Sequence, residues 1–506
     1  MSSDQNRRSF LTTAAGTAAA FTIVPRHVLG GTRFVAPSDK LNVAYIGVGT
    51  QGIRELLPML KNDDIQVVAV CDPNFCTNNY VDWDKHGLRN DIREFLGNRE
   101  WHDGRDGIFG GRQIGREIVE THYAAKRAAA QYKGCADYAD FRELLEQQKD
   151  LDAVKIMTPD HLHATISIAA MKKGKHVMMH KPIANRLDEA RKVIETARQT
   201  GVATHFIPWD SRGSMDLVMQ WIKDGSIGTL RAVHNWSNRP VWPQYLTLPE
   251  NRPPIPEGFE WDLWLGPALD RPYHPHYTHA VFRGWYEFGG GSIADMGHYS
   301  LWVVFRTLKL GAPVSVEATP STACTLVEQV STKIKNDFSF PLASTIRFRF
   351  PARDEFAPLD LWWYDGGMKP PTPEELYEDH QSLPAEGMMF VGDKGKILAG
   401  FRIDDPHLIP EKKMRAYMGS HTVPPQPAGA DEERNGLAEW VTACRGGKPS
   451  EASFLHAGPI SDAFNLGAIA CRAGQRLEWD AQNMKITNVP EANKYLYREY
   501  RRGWEL

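Results

Sequence analysis

The chain has 506 residues, more than the about 250–300 at which one hydrophobic core stops growing, so two domains are expected. With 42% hydrophobic residues, 24% charged residues and a net charge of −3, it has a globular composition and no electrostatic feature that favours nucleic acid or an anionic membrane as partner. The six cysteines form no CxxC or Cys/His cluster, which argues against a structural zinc site or a disulfide framework, and we expect no metal.

The first predicted segment, residues 1–35, is a targeting signal with a linker. Arg7 and Arg8 are followed by an apolar stretch through Val24, which is too short to cross about 30 Å of hydrocarbon. The basic-then-apolar order is typical of a signal peptide, and Arg-Arg-x-Phe-Leu resembles a twin-arginine (Tat) signal. A disordered basic tail is the alternative. We therefore expect export to the periplasm or another extracytoplasmic space, with no membrane span in the mature protein.

A nucleotide-binding pattern begins at Leu41. The apolar strand LNVAYI runs directly into GVGTQG and an amphipathic helix, and the next strand, IQVVAVC, ends before Asp72. In this strand–turn–helix–strand frame the glycines allow a tight turn and close approach of a pyrophosphate, while the carboxylate accepts from a ribose 2′-hydroxyl. A carboxylate would repel a 2′-phosphate, so NAD is favoured over NADP. A glycine turn without a nucleotide is the alternative. The expected cofactor ligands are Gly47, Gly49, Thr50, Gln51, Gly52 and Asp72.

Further strand–helix units follow an interruption at about residues 73–134. This insertion is either a lid over the site or a variable surface loop. The strands DAVKIM, GKHVMM and VATHFI then alternate with helices, which predicts a doubly wound parallel sheet over residues 36–208. Thr158, Pro159 and His161 open the helix after DAVKIM and are expected to line the cofactor cleft. His163, one turn further, contacts cofactor or substrate, or is a hydrogen-bonded core histidine.

The strand in GKHVMMHKP ends on a lysine, Lys181. Ligands of doubly wound sheets bind outside the carboxyl ends of the strands, so Lys181 is delivered to the cofactor cleft. Its ammonium is able to bind the reacting hydroxyl of a substrate, favouring the alkoxide that develops as hydride leaves, or to bind the nicotinamide ribose. A snorkelling surface lysine is the alternative.

These motifs, together with TPDHLHA and the later GGGSIADMG, resemble the Gfo/Idh/MocA oxidoreductases, and the similarity extends from about Leu41 to the C-terminus. The resemblance implies a Rossmann domain followed, over residues 209–506, by an α/β domain with an open, largely antiparallel sheet. That sheet covers the active site and often mediates oligomerisation in the family, so a homo-oligomer is expected. Family members mostly oxidise or reduce sugars with NAD(P), and some use bound NAD to cleave glycosides without net oxidation.

The catalytic residues implied by the resemblance are only partly retained. Lys181 matches the lysine of the family's Glu-Lys-Pro motif, but His180 precedes it. In DMGHYSLW, residues 295–302, Asp295 is retained, whereas the family's acid/base histidine aligns with Tyr299 and His298 lies one position early. Three readings stay open. A bulge brings His298 into place, Tyr299 carries the proton with its pKa lowered from about 10 by the lysine, or the redox chemistry is lost or changed.

Arg212, in WDSRGS, lies where relatives place substrate-contacting polar residues, and with His163 and His298 it completes the candidate substrate ligands. The resulting expectation is an exported NAD-dependent oxidoreductase that acts on a sugar, a sugar derivative or a glycoside. Because free NAD is scarce outside the cytoplasm, the cofactor would be tightly bound. The alternatives are a redox-neutral NAD-dependent glycoside hydrolase or lyase, and a non-catalytic protein that binds a sugar or nucleotide.

Overall fold

The structure is a computed structural model that describes residues 40–126, 134–207, 213–420 and 436–506. The predicted signal and Arg212 lie outside these residues. The first domain comprises β1 Leu41–Ile46, α1 Thr50–Leu60, β2 Ile65–Cys71, α2 Gly87–Leu96, α3 Arg112–Lys126, β3 Ala136–Tyr138, α4 Phe141–Gln147, β4 Ala153–Ile156, α5 His163–Lys172, β5 His176–His180, α6 Leu187–Thr200 and β6 Thr204–Ile207.

The six strands of this domain form one parallel sheet in the order β3-β2-β1-β4-β5-β6. Their sequences are nearly continuous apolar runs because helices cover both faces of the sheet. The chain order reverses between β1 and β4, and a crevice forms at such a switch point beside the carboxyl ends of the strands. The predicted doubly wound sheet is thereby confirmed, with the glycine turn and Lys181 at the same edge.

The second domain is built on a nine-stranded sheet. Its elements are α7 Gly213–Lys223, β7 Leu230–Trp236, α8 Trp261–Leu265, α9 His298–Thr307, β8 Ser315–Pro320, β9 Cys324–Val327, β10 Val330–Lys333, β11 Ser344–Phe350, β12 Leu359–Tyr364, α10 Glu374–Glu378, β13 Gly387–Gly392, β14 Lys396–Ala399, β15 His407–Ile409, α11 Glu411–Ser420, α12 Gly436–Cys444, α13 Gly458–Ala473, β16 Leu477–Asp480 and β17 Lys485–Ile486.

The nine strands follow the order β15-β14-β13-β7-β12-β11-β8-β16-β17, while β9 and β10 form a separate exposed hairpin. Within the large sheet the pairing of β7 with β12 is parallel and the other pairings are antiparallel. The expected open, largely antiparallel sheet is confirmed. No helix in the described ranges combines the length and apolar character that a membrane span requires.

The C-terminal segments pack back onto the first domain. Trp440 and Val441 of α12 are buried in the same hydrophobic cluster as Tyr45 of β1. Near the end of the chain the guanidinium of Arg498 forms a fully buried ion pair with Glu189 of α6, with Nε and Oε1 2.6 Å apart. Breaking a buried pair of this kind costs about 3–5 kcal/mol. These two contacts join the C-terminal segments to the first domain.

Candidate active site

A cleft of about 900 Å³, partly open to solvent, lies at the carboxyl ends of β1, β4 and β5. The second domain closes it with Phe259, Trp264 and the helical turn His279–Gly284. Most of the predicted cofactor ligands line this cleft, namely Gly47, Gly49, Thr50, Gln51, Gly52, Asp72, Thr158, Pro159 and Lys181.

The glycine turn has the geometry that a dinucleotide needs. Gly47 has a φ of +97°, and a Cβ there would lie 2.6 Å from the carbonyl carbon of Met157. A Cβ on Gly52 would lie 2.2 Å from the carbonyl oxygen of Gly47. The chain's own backbone thus restricts both positions to glycine. The turn that these glycines form brings the N-terminus of α1 to the cleft. Free N–H groups and the positive end of the helix dipole favour a phosphate at this point.

Asp72 is placed to bind a ribose. Each of its oxygens accepts one backbone hydrogen bond, from the N–H of Val48 and from that of Asn74, both at 2.9 Å. A carboxylate oxygen has two lone pairs, so each keeps one for a hydroxyl donor. Burial raises the pKa of Asp72 to about 6. The neighbouring Arg112 donates a 3.0 Å hydrogen bond to the Asp72 carbonyl and lies 3.4 and 3.7 Å from the carboxylates of Asp137 and Glu260. This arrangement fits NAD.

Three of the residues predicted after β4, Thr158, His161 and His163, differ in their surroundings. The hydroxyl of Thr158 is buried in the cleft and has no hydrogen-bond partner among the described residues, so it retains bonding capacity for a ligand. His161 is buried, with Nε2 2.9 Å from the carbonyl of Trp264 and its ring against Phe288. His163 bridges two loops, with its ring nitrogens 2.6 and 2.9 Å from the carbonyls of Pro182 and Thr158. Both histidines are thus packed inside the protein, and neither lines the cleft.

Lys181 is buried and forms an ion pair with Asp295. Arg283 approaches the same carboxylate oxygen, with Nε at 3.2 Å. Burial lowers the pKa of Lys181, while Asp295 opposes that effect. Burial by itself would raise the pKa of Asp295, but Lys181 and Arg283 bring it below its ordinary value. An ammonium held by one carboxylate keeps two further N–H donors, which are available to a substrate hydroxyl.

The two positions at which the sequence departs from the family pattern are in contact with each other. Nε2 of His180 lies 3.1 Å from the hydroxyl oxygen of Tyr299, although 119 positions separate the residues along the chain. Lys181 Nζ lies over the Tyr299 ring, 5.1 Å from its centroid. Burial lowers the pKa of His180 well below its usual value and raises that of Tyr299. The alternative in which Lys181 lowers the pKa of Tyr299 is therefore not supported, and both groups are neutral at physiological pH.

His298 packs against aromatic side chains. One turn of π-helix, Ile293–Gly297, precedes α9, so a local bulge does exist. The His298 ring nevertheless packs between Phe206 and Phe464, at 5.2 and 4.7 Å between centroids, and its Nδ1 bonds the Ala294 carbonyl at 2.7 Å. Burial lowers its pKa to about 3. The alternative in which a bulge brings His298 to the lysine is not supported by this geometry.

Sequence reasoning missed Asp160. This carboxyl is 5% exposed, lines the cleft and accepts a 2.9 Å hydrogen bond from the N–H of Gly290. Burial raises its pKa to about 6, against the opposing effects of Arg283 and Lys181. Its place within the TPDHLHA motif was the available signal. Arg283 had no such signal, because nothing in FRGW distinguishes it from a surface arginine.

The start of the insertion, residues 73–83, forms a strap over the cleft. It is fixed to the second domain by two backbone hydrogen bonds, Phe75 N–H to the Gly258 carbonyl at 2.8 Å and Glu260 N–H to the Pro73 carbonyl at 3.0 Å. Tyr80 of the strap also contacts the His279 ring, at 3.9 Å between centroids. The insertion thus contributes to the wall of the site. Another part of the insertion, helix α3, packs into the hydrophobic core, since its residues Ile114 and Ile118 are buried. In the described parts of the chain no group of three or more His, Cys, Asp or Glu side chains is arranged for a metal ion.

Two family models match the chain. Residues 101–206 match the Gfo/Idh/MocA oxidoreductase family, NAD-binding Rossmann fold, and residues 226–335 match the C-terminal α/β domain of that oxidoreductase family. The order of the two matches is that of the two domains described above.

Curated relatives match over part of their length. A levoglucosan dehydrogenase of Pseudarthrobacter phenanthrenivorans is 30% identical over 112 residues, which are 21% of this chain and 28% of the relative. A glycosyl hydrolase family 109 protein of Shewanella pealeana is 26% identical over 240 residues, 44% of each chain. The chain therefore spans between about a quarter and a half of the length of these relatives.

Among solved structures, the WlbA dehydrogenase of Bordetella pertussis, in complex with NADH and UDP-GlcNAcA, superposes with a TM-score of 0.51. The sequences are 16% identical, and the match covers 88% of this chain and 100% of the other. At this identity the likeness concerns the fold, which is the pairing of a parallel and a mixed sheet seen here.

Proposed function

We propose that this chain, parts of which match the two Gfo/Idh/MocA domain models, is an exported oxidoreductase of that family. It would move a hydride between a hydroxyl-bearing carbon of a sugar, sugar derivative or glycoside and a tightly held NAD. The observation that carries this proposal is the buried Lys181–Asp295 pair beside the glycine-rich cleft. Burying an ammonium group costs free energy unless the group is paired with an opposite charge. Buried ionisable groups with shifted pKa values cluster at functional sites.

When bound, NAD supplies the hydride acceptor. Its pyrophosphate would lie at the glycine turn 47–52 and its adenine-side ribose at Asp72. Lys181 donates hydrogen bonds to the substrate oxygen and stabilises the negative charge that grows there as the C–H bond breaks. Asp295 and Arg283 fix the position of that ammonium. Strap residues and the helical turn His279–Gly284 limit the access of water.

The hydroxyl proton needs an acceptor, and we assign this role to Asp160, which lines the same cleft as Lys181. A carboxyl with a pKa of about 6 is ionised at neutral pH and takes a proton without a large penalty. Tyr299 holds its proton more firmly than a free tyrosine, and His298 points into the core. In the oxidation direction the O–H proton therefore goes to Asp160 as hydride leaves the carbon, and a ketone or lactone remains. The reduction direction reverses both transfers.

The proposal that the cofactor is tightly held and the proposal that the protein is exported are consistent with each other. The strap is hydrogen-bonded to the second domain, and these bonds would hinder the release of a bound dinucleotide. Export through the Tat route carries folded proteins with their cofactors, which motivates placing the enzyme outside the cytoplasm. A retained cofactor must be regenerated in place, either by a second sugar or by return of the hydride to the first.

Redox-neutral glycoside cleavage is the second candidate. The observation that favours it is that the match to the glycosyl hydrolase family 109 protein spans 240 residues, against 112 for the levoglucosan dehydrogenase. Transient oxidation of a ring hydroxyl to a ketone would acidify the neighbouring C–H bond. Loss of that proton would expel the aglycone, water would add to the resulting double bond, and return of the hydride would restore the alcohol.

The first test is the cofactor content of protein produced with its N-terminal segment and recovered after export. The polypeptide is denatured and removed, and NAD(H) is measured by absorbance and mass. We expect close to one dinucleotide per chain, followed by either sugar–sugar hydride exchange or glycoside cleavage without net NADH. A protein that arrives empty and does not bind added NAD would remove the oxidoreductase function and leave the fold.

A further inference from the structure

A second pocket, of about 510 Å³ and partly open to solvent, lies beside residues 182–186, directly after Lys181. Its size falls within the range of small-molecule sites, about 300–1,000 Å³. None of the residues that line it also lines the glycine-rich cleft. It is therefore a separate cavity, and the proposed hydride transfer makes no use of it.

One wall of this pocket is a single face of helix α13, Gly458–Ala473. The residues of that face recur every three or four positions, and they include Ser461, Asn465, Ala468 and Arg472. Ser461 and Arg472 are eleven residues apart, which corresponds to about 16 Å along a helix axis. A pocket of this length suits an extended molecule of several carbon atoms better than a single small ion.

The guanidinium of Arg472 lines the pocket without a carboxylate partner. Its carbon lies 5.2 Å from the ring centroid of Tyr286 and 4.0 Å from that of Tyr495. Its Nε is buried without a hydrogen-bond partner, and no carboxylate of the described residues forms an ion pair with this side chain. Arg186, which also lines the pocket, has the carboxylate of Glu287 at 3.7 Å. Arg472 is therefore available to an anion, and a guanidinium matches a carboxylate through paired N–H groups.

Two buried polar atoms line the pocket near the start of α13. His298 is 1% exposed and Ser461 is 3% exposed. Nδ1 of His298 carries the ring proton, because it lies 2.7 Å from the Ala294 carbonyl, which only accepts. Burial lowers the pKa of His298 to about 3, so Nε2 of the neutral ring is an acceptor. Neither this Nε2 nor the Ser461 hydroxyl has a partner in the described part of the chain. Hydroxyl groups of a ligand satisfy both atoms.

We propose that this pocket binds a hydroxylated carboxylate of the size of a sugar acid, with its carboxylate at Arg472 and its hydroxyls at His298 and Ser461. The carbon chain would pack against Phe464 and Ile469, which line the pocket between those ends. One unpaired guanidinium balances one negative charge, whereas a phosphate ester carries about two at neutral pH. A carboxylate is therefore the better match.

The test is calorimetric binding to the full chain, with D-gluconate, D-glucuronate and the neutral polyol D-glucitol as probes. We expect at least one of the acids to bind about 10- to 100-fold more tightly than D-glucitol, the range of a charge-assisted hydrogen bond. Preference for gluconate assigns an open-chain acid, and preference for glucuronate assigns a ring acid. Absence of acid binding, or equal binding of all three probes, would overturn the inference.

Variants locate the binding. Arg472→Gln should remove the preference for the acid, and Ser461→Ala should weaken acid binding about 2- to 10-fold. Arg476→Gln is the matched control, because Arg476 lies four residues further on, outside the pocket, where it pairs with Glu478 at 2.7 Å. Lys181→Met separates this pocket from the cleft, because acid binding should persist without that ammonium. An unchanged preference in Arg472→Gln, or loss of acid binding in Lys181→Met, would overturn the inference.

Discussion

Replacing Asp160 with asparagine should stabilise the protein and inactivate it. The carboxyl is buried in the cleft, and burial raises its pKa from 3.8 to about 6. A raised carboxyl pKa means that the folded protein binds this proton more tightly than the unfolded chain does. The free energy of unfolding therefore falls as pH rises from about 4 to about 6, and the full cost is present above pH 6.

The size of this cost follows from the shift. A difference of about 2 pKa units corresponds to about 3 kcal/mol of lost stability at pH 7–8. Asparagine removes the charge and keeps an oxygen that accepts the hydrogen bond from the N–H of Gly290. The stability of Asp160→Asn relative to the parent should thus increase by about 3 kcal/mol between pH 4 and pH 7. Turnover should fall by about 10²- to 10⁴-fold, because the proton acceptor is gone.

The assay is urea denaturation of the NAD-containing parent and variant at several pH values, with turnover measured on the same preparations. Asp365→Asn is the control. Asp365 is also buried with a pKa raised to about 6, but it bonds Ser344 and Trp363 away from the cleft. It should show the same pH-dependent stability change with turnover retained. A stability difference for Asp160→Asn that is constant from pH 4 to 7, or a variant with normal turnover, would refute the reasoning.

Three further substitutions test other parts of the site. Lys181→Met should keep bound NAD but lose about 10²-fold or more of turnover, because no donor stabilises the developing alkoxide; retained turnover would exclude the lysine from the chemistry. Gly52→Ala should lose NAD, because its Cβ would lie 2.2 Å from a backbone oxygen. Gly311→Ala is the control and should retain NAD, because the space around its Cβ is open. The NAD content of both variants is measured from the absorbance of the released dinucleotide. Tyr299→Phe should cost about 1–3 kcal/mol in urea denaturation because His180 loses its partner, and an unchanged midpoint would contradict the hydrogen bond.

Much of the fold could be predicted because its signals are local. The strand LNVAYI, the glycines of GVGTQG and the strand that ends before Asp72 follow one another within a short stretch of chain. Alternating strand and helix patterns then require a parallel sheet, whose carboxyl edge receives Lys181. The second domain was expected from a resemblance, because its strands pair across long separations that no local pattern specifies.

The chemistry around the lysine could not be predicted in the same way. His298 and Tyr299 are adjacent in sequence, but neighbouring residues in a helix point about 100° apart, so only one of them is able to face Lys181. The π-helical turn that precedes them and the packing of His298 against Phe464 decide which one does. Asp160 acquires its raised pKa from burial, which the TPDHLHA motif does not encode.

The sequence by itself determined the parallel sheet, the glycine turn and a lysine at the end of β5, since each depends on neighbouring residues in the chain. The tertiary structure decided which side chains contact that lysine. Asp295 lies 114 positions away along the chain, and Arg283 reaches the same carboxylate from the helical turn His279–Gly284. Electrostatic interaction depends on distance in space and on burial. The electrostatic environment of Lys181 could therefore be described only from the positions of residues in both domains.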